Sequence, residues 1–409
     1  MEPKAIAQKE NLKLNPMVFT VLVLYPLFVL TLGVWYISKW GISSFEIILF
    51  IASYYAANIS IGVGLHRCWS HGAYKLNKVV EFVLLMLSAG TLQGPALVWC
   101  SDHYKHHTFT DEEGDPHTPL KYKDNPWKGF FWAHMGWMLY GDFGKGKMKV
   151  DKLTMTKLGR NSLLRWQMKY YWQIATFMNA ILPPIIGFLL GDMTIKAALA
   201  GYIFIGLARA LQQHVTFCVN SLCHFVGSRK YYLGTARDIW WFFPFLLGEN
   251  WHNFHHAFAR DYRNGVKWYH LDVHKWIIFA LEKLGLATEL VRTPDVRIKA
   301  RMAETKLMIQ DQLKTKLSLL EEAAGIIAFA AEEKLKQAEK SAVGLAEKAS
   351  KQMVLLQKKS LELAANIRHK LSSTDALQAK VAKKYWQQFH RIENIAKKLN
   401  INLSKIQLG

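Results

Sequence analysis

The chain carries sixteen histidines, and half of them fall into three tight clusters. His66 and His71 lie in HRCWSH, His103, His106 and His107 in HYKHH, and His252, His255 and His256 in HNFHH. His224 stands four residues after Asn220. In each HxxHH cluster the side chains sit at i, i+3 and i+4, one face of a single helical turn. Imidazole is the commonest metal ligand, binding through a neutral ring nitrogen. Crowded imidazoles repel one another if protonated and each need a hydrogen-bond partner if buried; a shared metal removes both problems. One zinc takes four ligands, so eight or nine clustered histidines suit two ions. All-nitrogen ligation excludes calcium and magnesium. Two irons at the mouth of a membrane protein would point to oxygen activation on a lipid substrate, whereas a zinc pair would imply hydrolysis. His117, in DPH, and His134 are candidates for orienting the ligands. His214 faces away from His224 on a common helix, and His270 and His274 are expected at the surface or at helix ends. His369 and His390 are expected in solvent.

Apolar helices must carry these clusters. The chain has 409 residues, 51% of them apolar, with a net charge of +21. Its 13% aromatic content excludes general disorder, and four cysteines with no C-x-x-C pair exclude a disulfide scaffold. Uncharged runs predict membrane spans over about 17–37, 47–65, 172–190 and 197–218, the second running directly into His66. The run 79–99 is expected to be re-entrant or interfacial, because a full crossing would part His66 from His103. Eight Lys/Arg against Asp151 alone between Lys145 and Lys169 place that segment in the cytoplasm. Two hairpins of spans then put both termini and the histidines on the cytoplasmic side. The basic balance fits an anionic membrane surface, with no nucleic acid partner expected.

Residues 1–16 read as a cytoplasmic lead-in and 17–293 as the membrane domain. From 294 to 409 the chain reads as soluble amphipathic helix. Residues 301–409 hold 20 Lys/Arg and 11 Asp/Glu, net +9. A helical hairpin that packs or self-associates is one expectation for them; a basic docking surface for an acidic electron carrier or anionic lipid is the other.

The strings GLHRCWSHGAYK (64–75), DHYKHHTFTDEEGDPH (102–117), NSLCH (220–224) and GENWHNFHHAFARDY (248–262) together resemble the membrane fatty acid desaturases, nearest to the acyl-CoA Δ9 (stearoyl-CoA) branch, over about residues 15–290. The resemblance implies an all-α integral membrane protein: four transmembrane helices in two hairpins and a cytoplasmic helical cap holding a histidine-ligated di-iron centre, here with a long helical C-terminal extension. It implies iron ligation by His66, His71, His103, His106, His107, His224, His252, His255 and His256. Asn220 would reach one iron through water, and Trp99 and Asp102 would lie near the acyl headgroup. The expected activity is a cis double bond, at Δ9, made with O2 and two electrons in a saturated acyl chain.

Ser101 stands where animal and fungal acyl-CoA enzymes carry Arg, which leaves acyl-CoA, acyl-ACP or a phospholipid as the acyl carrier. No HPGG cytochrome b5 signature occurs, so a separate donor of ferredoxin, rubredoxin or cytochrome b5 type is expected. That, with no ER retrieval signal, leans towards a bacterial inner-membrane enzyme. At 1.5 Å per residue, Phe50 and Tyr54 lie below His66 on the second span and are candidates for the floor of an acyl tunnel. The alternatives are a di-iron membrane hydroxylase of fatty acids or alkanes, and a histidine-rich metal transporter.

Overall fold

The structure, a computed structural model, describes residues 13–141 and 150–338. Among them four helices are long and apolar enough to cross a membrane: Pro16–Trp40, Ser44–Ser70, Tyr171–Leu190 and Ile195–Phe225, here spans 1 to 4. They coincide with the expected runs but are longer. Spans 2 and 4 continue past the apolar run so that their last turns carry His66 and His224. Lys145, Lys147 and Lys149 of the basic segment lie outside the described residues, as do His369 and His390.

Each hairpin is fixed at the end away from the histidines. Ser43 caps span 2, its backbone N–H donating to Glu46 Oε2 at 2.8 Å, while Tyr36 Oη of span 1 donates to Glu46 Oε1 at 2.7 Å. Spans 3 and 4 meet backbone to backbone: a Cβ on Gly187 would stand 2.3 Å from Ala197 O and 2.7 Å from Gly201 Cα. Small residues permit this approach, from which membrane helices gain packing energy. Pro183 and Pro184 disturb span 3, and its turns over Phe177–Ile181 widen into a π-helix. Arg209 of span 4 reaches across to donate to Met178 O and, at 3.3 Å, to Asn179 Oδ1. A freed carbonyl and a buried guanidinium thus satisfy each other, as a dry bilayer requires.

The run 79–99 is not one helix. Helix Lys78–Ala89 ends at Gly90, Leu92 takes a left-handed φ of 55°, and Pro95 opens the helix Ala96–Phe109 that carries the second histidine box. Gln213 Nε2 of span 4 donates to Thr91 O and Leu92 O, satisfying the break. Short helices at 126–140, Lys152–Leu158, Ser162–Lys169, His252–Ala257 and Val273–Lys283 complete the cap. A two-residue antiparallel pairing of Lys75 with Thr288 and Leu76 with Ala287 ties the cap's last segment to the first box.

The chain divides into compact units 1–299 and 300–409. A helix runs Asp295–Ala338. The hairpin and docking readings of 301–409 concern a segment that, beyond Ala338, lies outside the described residues.

Candidate metal centre

The nine clustered histidines converge in two groups. His66, His71, His103, His107 and His255 form one, and His106, His224, His252 and His256 the other; within each, one ligand atom per residue lies within 4.8 Å of all the rest. The helical spacing explains the division. On helix Ala96–Phe109, His103 and His107 (i, i+4) turn to the first group and His106 to the second. Helix His252–Ala257 does the reverse, giving His252 and His256 to the second group and His255 to the first. HxxxxH places its ends on opposite sides of an α-helix. Here Ser60–Ser70 is a π-helix, and His71 N donates to His66 O at 3.1 Å, an i→i+5 bond that brings both imidazoles to one side.

Nε2 faces Nε2 throughout. The separations are 3.0 Å for His66–His255, 2.7 Å for His71–His103, 3.0 Å for His107–His255, 3.2 Å for His106–His256, and 3.0 Å for both His224–His252 and His252–His256. Burial, with neighbouring imidazoles adding to it, holds His71, His103, His106, His107, His252, His255 and His256 well below the ordinary histidine range. Burial thus favours the neutral ring, which keeps one nitrogen lone pair. His106 and His224 engage partners through Nδ1: Asp115 Oδ1 at 3.0 Å and Thr235 Oγ1 at 2.6 Å. Thr235 Oγ1 in turn donates to Asp111, leaving its lone pair to accept. Their Nε2 atoms then present lone pairs to other imidazoles, a repulsive arrangement that a cation between them turns attractive. The donor set fits two nitrogen-bound transition-metal ions.

Glu249 organises the first group from behind. Its Oε2 lies 2.6 Å from His66 Nδ1 and accepts from Asn264 Nδ2 at 2.8 Å; its Oε1 accepts from Arg67 Nη2 at 2.8 Å and lies 3.0 Å from His274 Nδ1. Burial alone would raise this carboxyl, but Arg67 and His66 hold it well below the usual range. Asp272 shares Arg67 at 3.0 Å, so the buried guanidinium faces two carboxylates. His274, expected at the surface or at a helix end, lies in the first turn of helix Val273–Lys283 but is fully buried, with Nε2 3.1 Å from Asn58 Oδ1 of span 2. His270 does lie partly exposed, stacked on Trp251 at 4.0 Å. Glu249, Asp115 and Thr235 carry no expectation from the sequence, and His274 none at this centre. Glu249 sits three residues before His252, and only folding brings it 182 positions back to Arg67.

A cavity of about 230 Å³ opens beside the first group, touching His66, His103 and Glu249. Trp99, Asp102 and Asn220 line it, as does His117. Trp99 stacks on His103 at 5.0 Å. Burial pushes Asp102 up to about 6, with Lys105 opposing at 3.4 Å. His117 packs 4.1 Å from His106, with Nδ1 3.9 Å from Asp115. His106 and Asp115 are already joined through Nδ1, so this trio extends the second group and is no third ion site. His134 touches none of the nine: it pairs with Ser221 Oγ at 2.9 Å and with His214 at 3.4 Å. Phe50 and Tyr54 do not line the cavity; span 2 contributes Asn58, Ile61 and Gly62. Tyr54 is turned aside because its hydroxyl donates to Phe245 O at 2.8 Å.

Residues 45–288 match the family Fatty acid desaturase. The probable acyl-CoA desaturase of Schizosaccharomyces pombe is 34% identical over 275 residues, 66% of this chain and 54% of that protein. Acyl-CoA desaturase 1 of Saccharomyces cerevisiae is 31% identical over 277 residues, 67% of this chain and 51% of that protein. This chain thus spans about half the length of these two fungal relatives. Delta-9 acyl-lipid desaturase 1 of Arabidopsis thaliana is 34% identical over 253 residues, 61% of this chain and 76% of that protein. With four helices long and apolar enough to cross a membrane and the match covering more than half its length, the chain belongs to the fatty acid desaturase family.

Proposed function

We propose that this protein is a membrane-bound fatty acyl desaturase that makes a cis double bond, at Δ9, in a saturated chain with O2 and two electrons. The observation that carries this reading is the convergence of nine histidines in two groups, of which His66 and His103 line a cavity reaching into the spans. Five histidines would hold one iron; the other four, with Asn220 through water, would hold the second. Bound there, two irons would supply the oxygen-dependent hydrogen removal that an unactivated methylene needs.

The chain's own residues do the positioning. Glu249 and Asp115 orient His66 and His106 from their Nδ1 sides. Ile61, Leu92, Phe217 and Leu246 give the cavity apolar walls that keep water from the acyl chain. Trp99 and Asp102, at the histidine end of the cavity, are assigned to the headgroup side. Relatives named for acyl-CoA and for acyl-lipid both match, which keeps acyl-CoA, acyl-ACP and phospholipid as carriers. Ser101 is buried, and its hydroxyl donates to Asp151 at 2.5 Å, so the position usually held by Arg faces inward. Lys152, Lys157, Arg160, Arg165 and Lys169, just before span 3, support a cytoplasmic location for the centre. A separate protein would donate the electrons.

The test is expression in a host lacking its own desaturase, with fatty acids resolved by double-bond position and lipid class. New cis-Δ9 monoenes, absent with His256→Ala, are expected. Hydroxylated acyl chains, or no new product from a membrane-inserted, iron-loaded protein, would overturn the reading.

A further inference from the structure

Within the stretch between His224 and Glu249, Thr235 and Asp238 support the histidines, whereas residues 240–247 offer them no side-chain partner. Residues 240–247 read WWFFPFLL, without one polar side chain. They form a short 3₁₀ turn, Trp240–Phe242, and one helical turn, Phe243–Leu246, closed by Leu247 at a left-handed φ of 52°. Such a segment in a water-facing loop would be costly. Three of its rings nevertheless stand open: Trp240 is 69% exposed, Trp241 48% and Phe245 46%.

Its depth decides what covers them. Phe245 O accepts from Tyr54 Oη at 2.8 Å and from Asn58 Nδ2 at 2.8 Å, and Pro244 O accepts from Tyr55 Oη at 3.2 Å. Phe242 and Leu246 pack with Tyr54 and with Ala208 and Val215 of span 4. A hydrocarbon core takes about twenty helical residues. Counted from Ser44, that core ends near Leu65. Asn58 is then about 10 Å and Tyr54 about 16 Å inside it. The carbonyl of Phe245 is held between those levels.

Irregular backbone survives at this depth only where its polar groups are bonded. Here they are. Ile239 N donates to Asn250 O at 2.8 Å, Asn250 Nδ2 returns a bond to Ile239 O at 3.1 Å, and Leu247 N donates to Phe243 O at 2.8 Å. With Tyr54, Tyr55 and Asn58 satisfying Pro244 O and Phe245 O, the turn buries its polar atoms inward and shows rings outward.

The geometry points to residues 240–247 as a wedge immersed in the leaflet on the histidine side, its exposed rings covered by lipid acyl chains. The wedge runs directly into Glu249 and His252, so the segment that enters the bilayer also carries the third histidine box. The inference rests on span 2 crossing the membrane and is independent of the reaction catalysed. An electron-donor protein docking on the same rings is the competing occupant.

The test places a nitroxide on Trp241→Cys, and separately on Phe245→Cys, in the full chain reconstituted in phosphatidylcholine nanodiscs. Leu30→Cys on span 1 serves as the lipid-facing reference and Glu113→Cys, in an exposed turn, as the aqueous one. The unsubstituted chain, labelled in parallel, sets the background from its own cysteines. Collision with O2 exceeding collision with a water-soluble nickel chelate, as at Leu30→Cys, is expected at both wedge positions. Nickel access equal to that at Glu113→Cys at either position would overturn the proposal. So would protection that develops only when a donor protein is added. Phe245→Cys keeps the test open should the tryptophan variant fail to fold, because the main-chain carbonyl bonded to span 2 is retained.

Discussion

Glu249 Oε2 stands 2.6 Å behind Nδ1 of His66, on the side away from the other imidazoles of the first group. Through this contact one carboxylate fixes which nitrogen of His66 faces the ion site, and the same carboxylate balances Arg67 and meets His274. Second-layer partners of this kind are worth 10- to 100-fold in metal affinity. Glu249→Gln is expected to lower iron affinity of the first group by about that factor, read by chelator competition on the purified protein. It also leaves Arg67 with Asp272 alone, and a loss of about 3–5 kcal/mol in stability is expected from a broken buried pair. Unchanged metal retention in a folded Glu249→Gln protein would show that His66 does not depend on it.

Gly62 makes room for His274. A Cβ at Gly62 would lie 2.0 Å from His274 Cε1, and the ring is held between Glu249 and Asn58. Gly62→Ala is therefore expected to cost about 1–3 kcal/mol by overpacking. Combining it with His274→Ala removes the clash, so the double variant should be more stable than the sum of the two single losses. Thermal unfolding in detergent reads the cycle; strict additivity would mean that the ring moves aside freely.

Asp238 caps the third box, its Oδ1 accepting from Asn253 N at 2.8 Å and Phe254 N at 3.3 Å. Burial pushes its carboxyl from 3.8 up to about 7, against those two donors, which favour the charged form. The raised value means that the folded chain holds this proton more tightly than the unfolded chain does. Its contribution to stability is fully present below about 3.8 and is lost as pH rises through about 7. Asp238→Asn keeps the acceptor and removes the titration, so its unfolding temperature should fall less between pH 6 and pH 8 than that of the unaltered chain. Asp238→Ala removes the cap and should cost about 0.5–2 kcal/mol at either pH. Equal pH dependence in the Asn variant would exclude this titration.

The four spans and the break after Ala89 are legible in the sequence because apolar length and proline act locally. The histidine boxes are legible for the same reason, since i, i+3 and i+4 fix one helical face. The first box is harder: only a π-helix turns His66 and His71 to one side, and nothing in HRCWSH announces it. Glu249 and His274 are out of local reach, because their roles arise from contacts with Arg67 and Asn58 made across the fold. Tyr54 shows the limit of counting along a helix. Rise per residue gives its depth, but its direction is set by Phe245 O, 191 positions away.

Iron stoichiometry tests the two-ion centre most directly. The chain, expressed with ample iron and purified under reductant, is analysed for bound metal by mass spectrometry alongside His252→Ala. Two irons per chain are expected, falling towards one in the variant, because His252 belongs to the four-histidine group and leaves the five-histidine group complete. A content of one iron or none in the folded chain, or two irons retained in His252→Ala, would contradict the assignment.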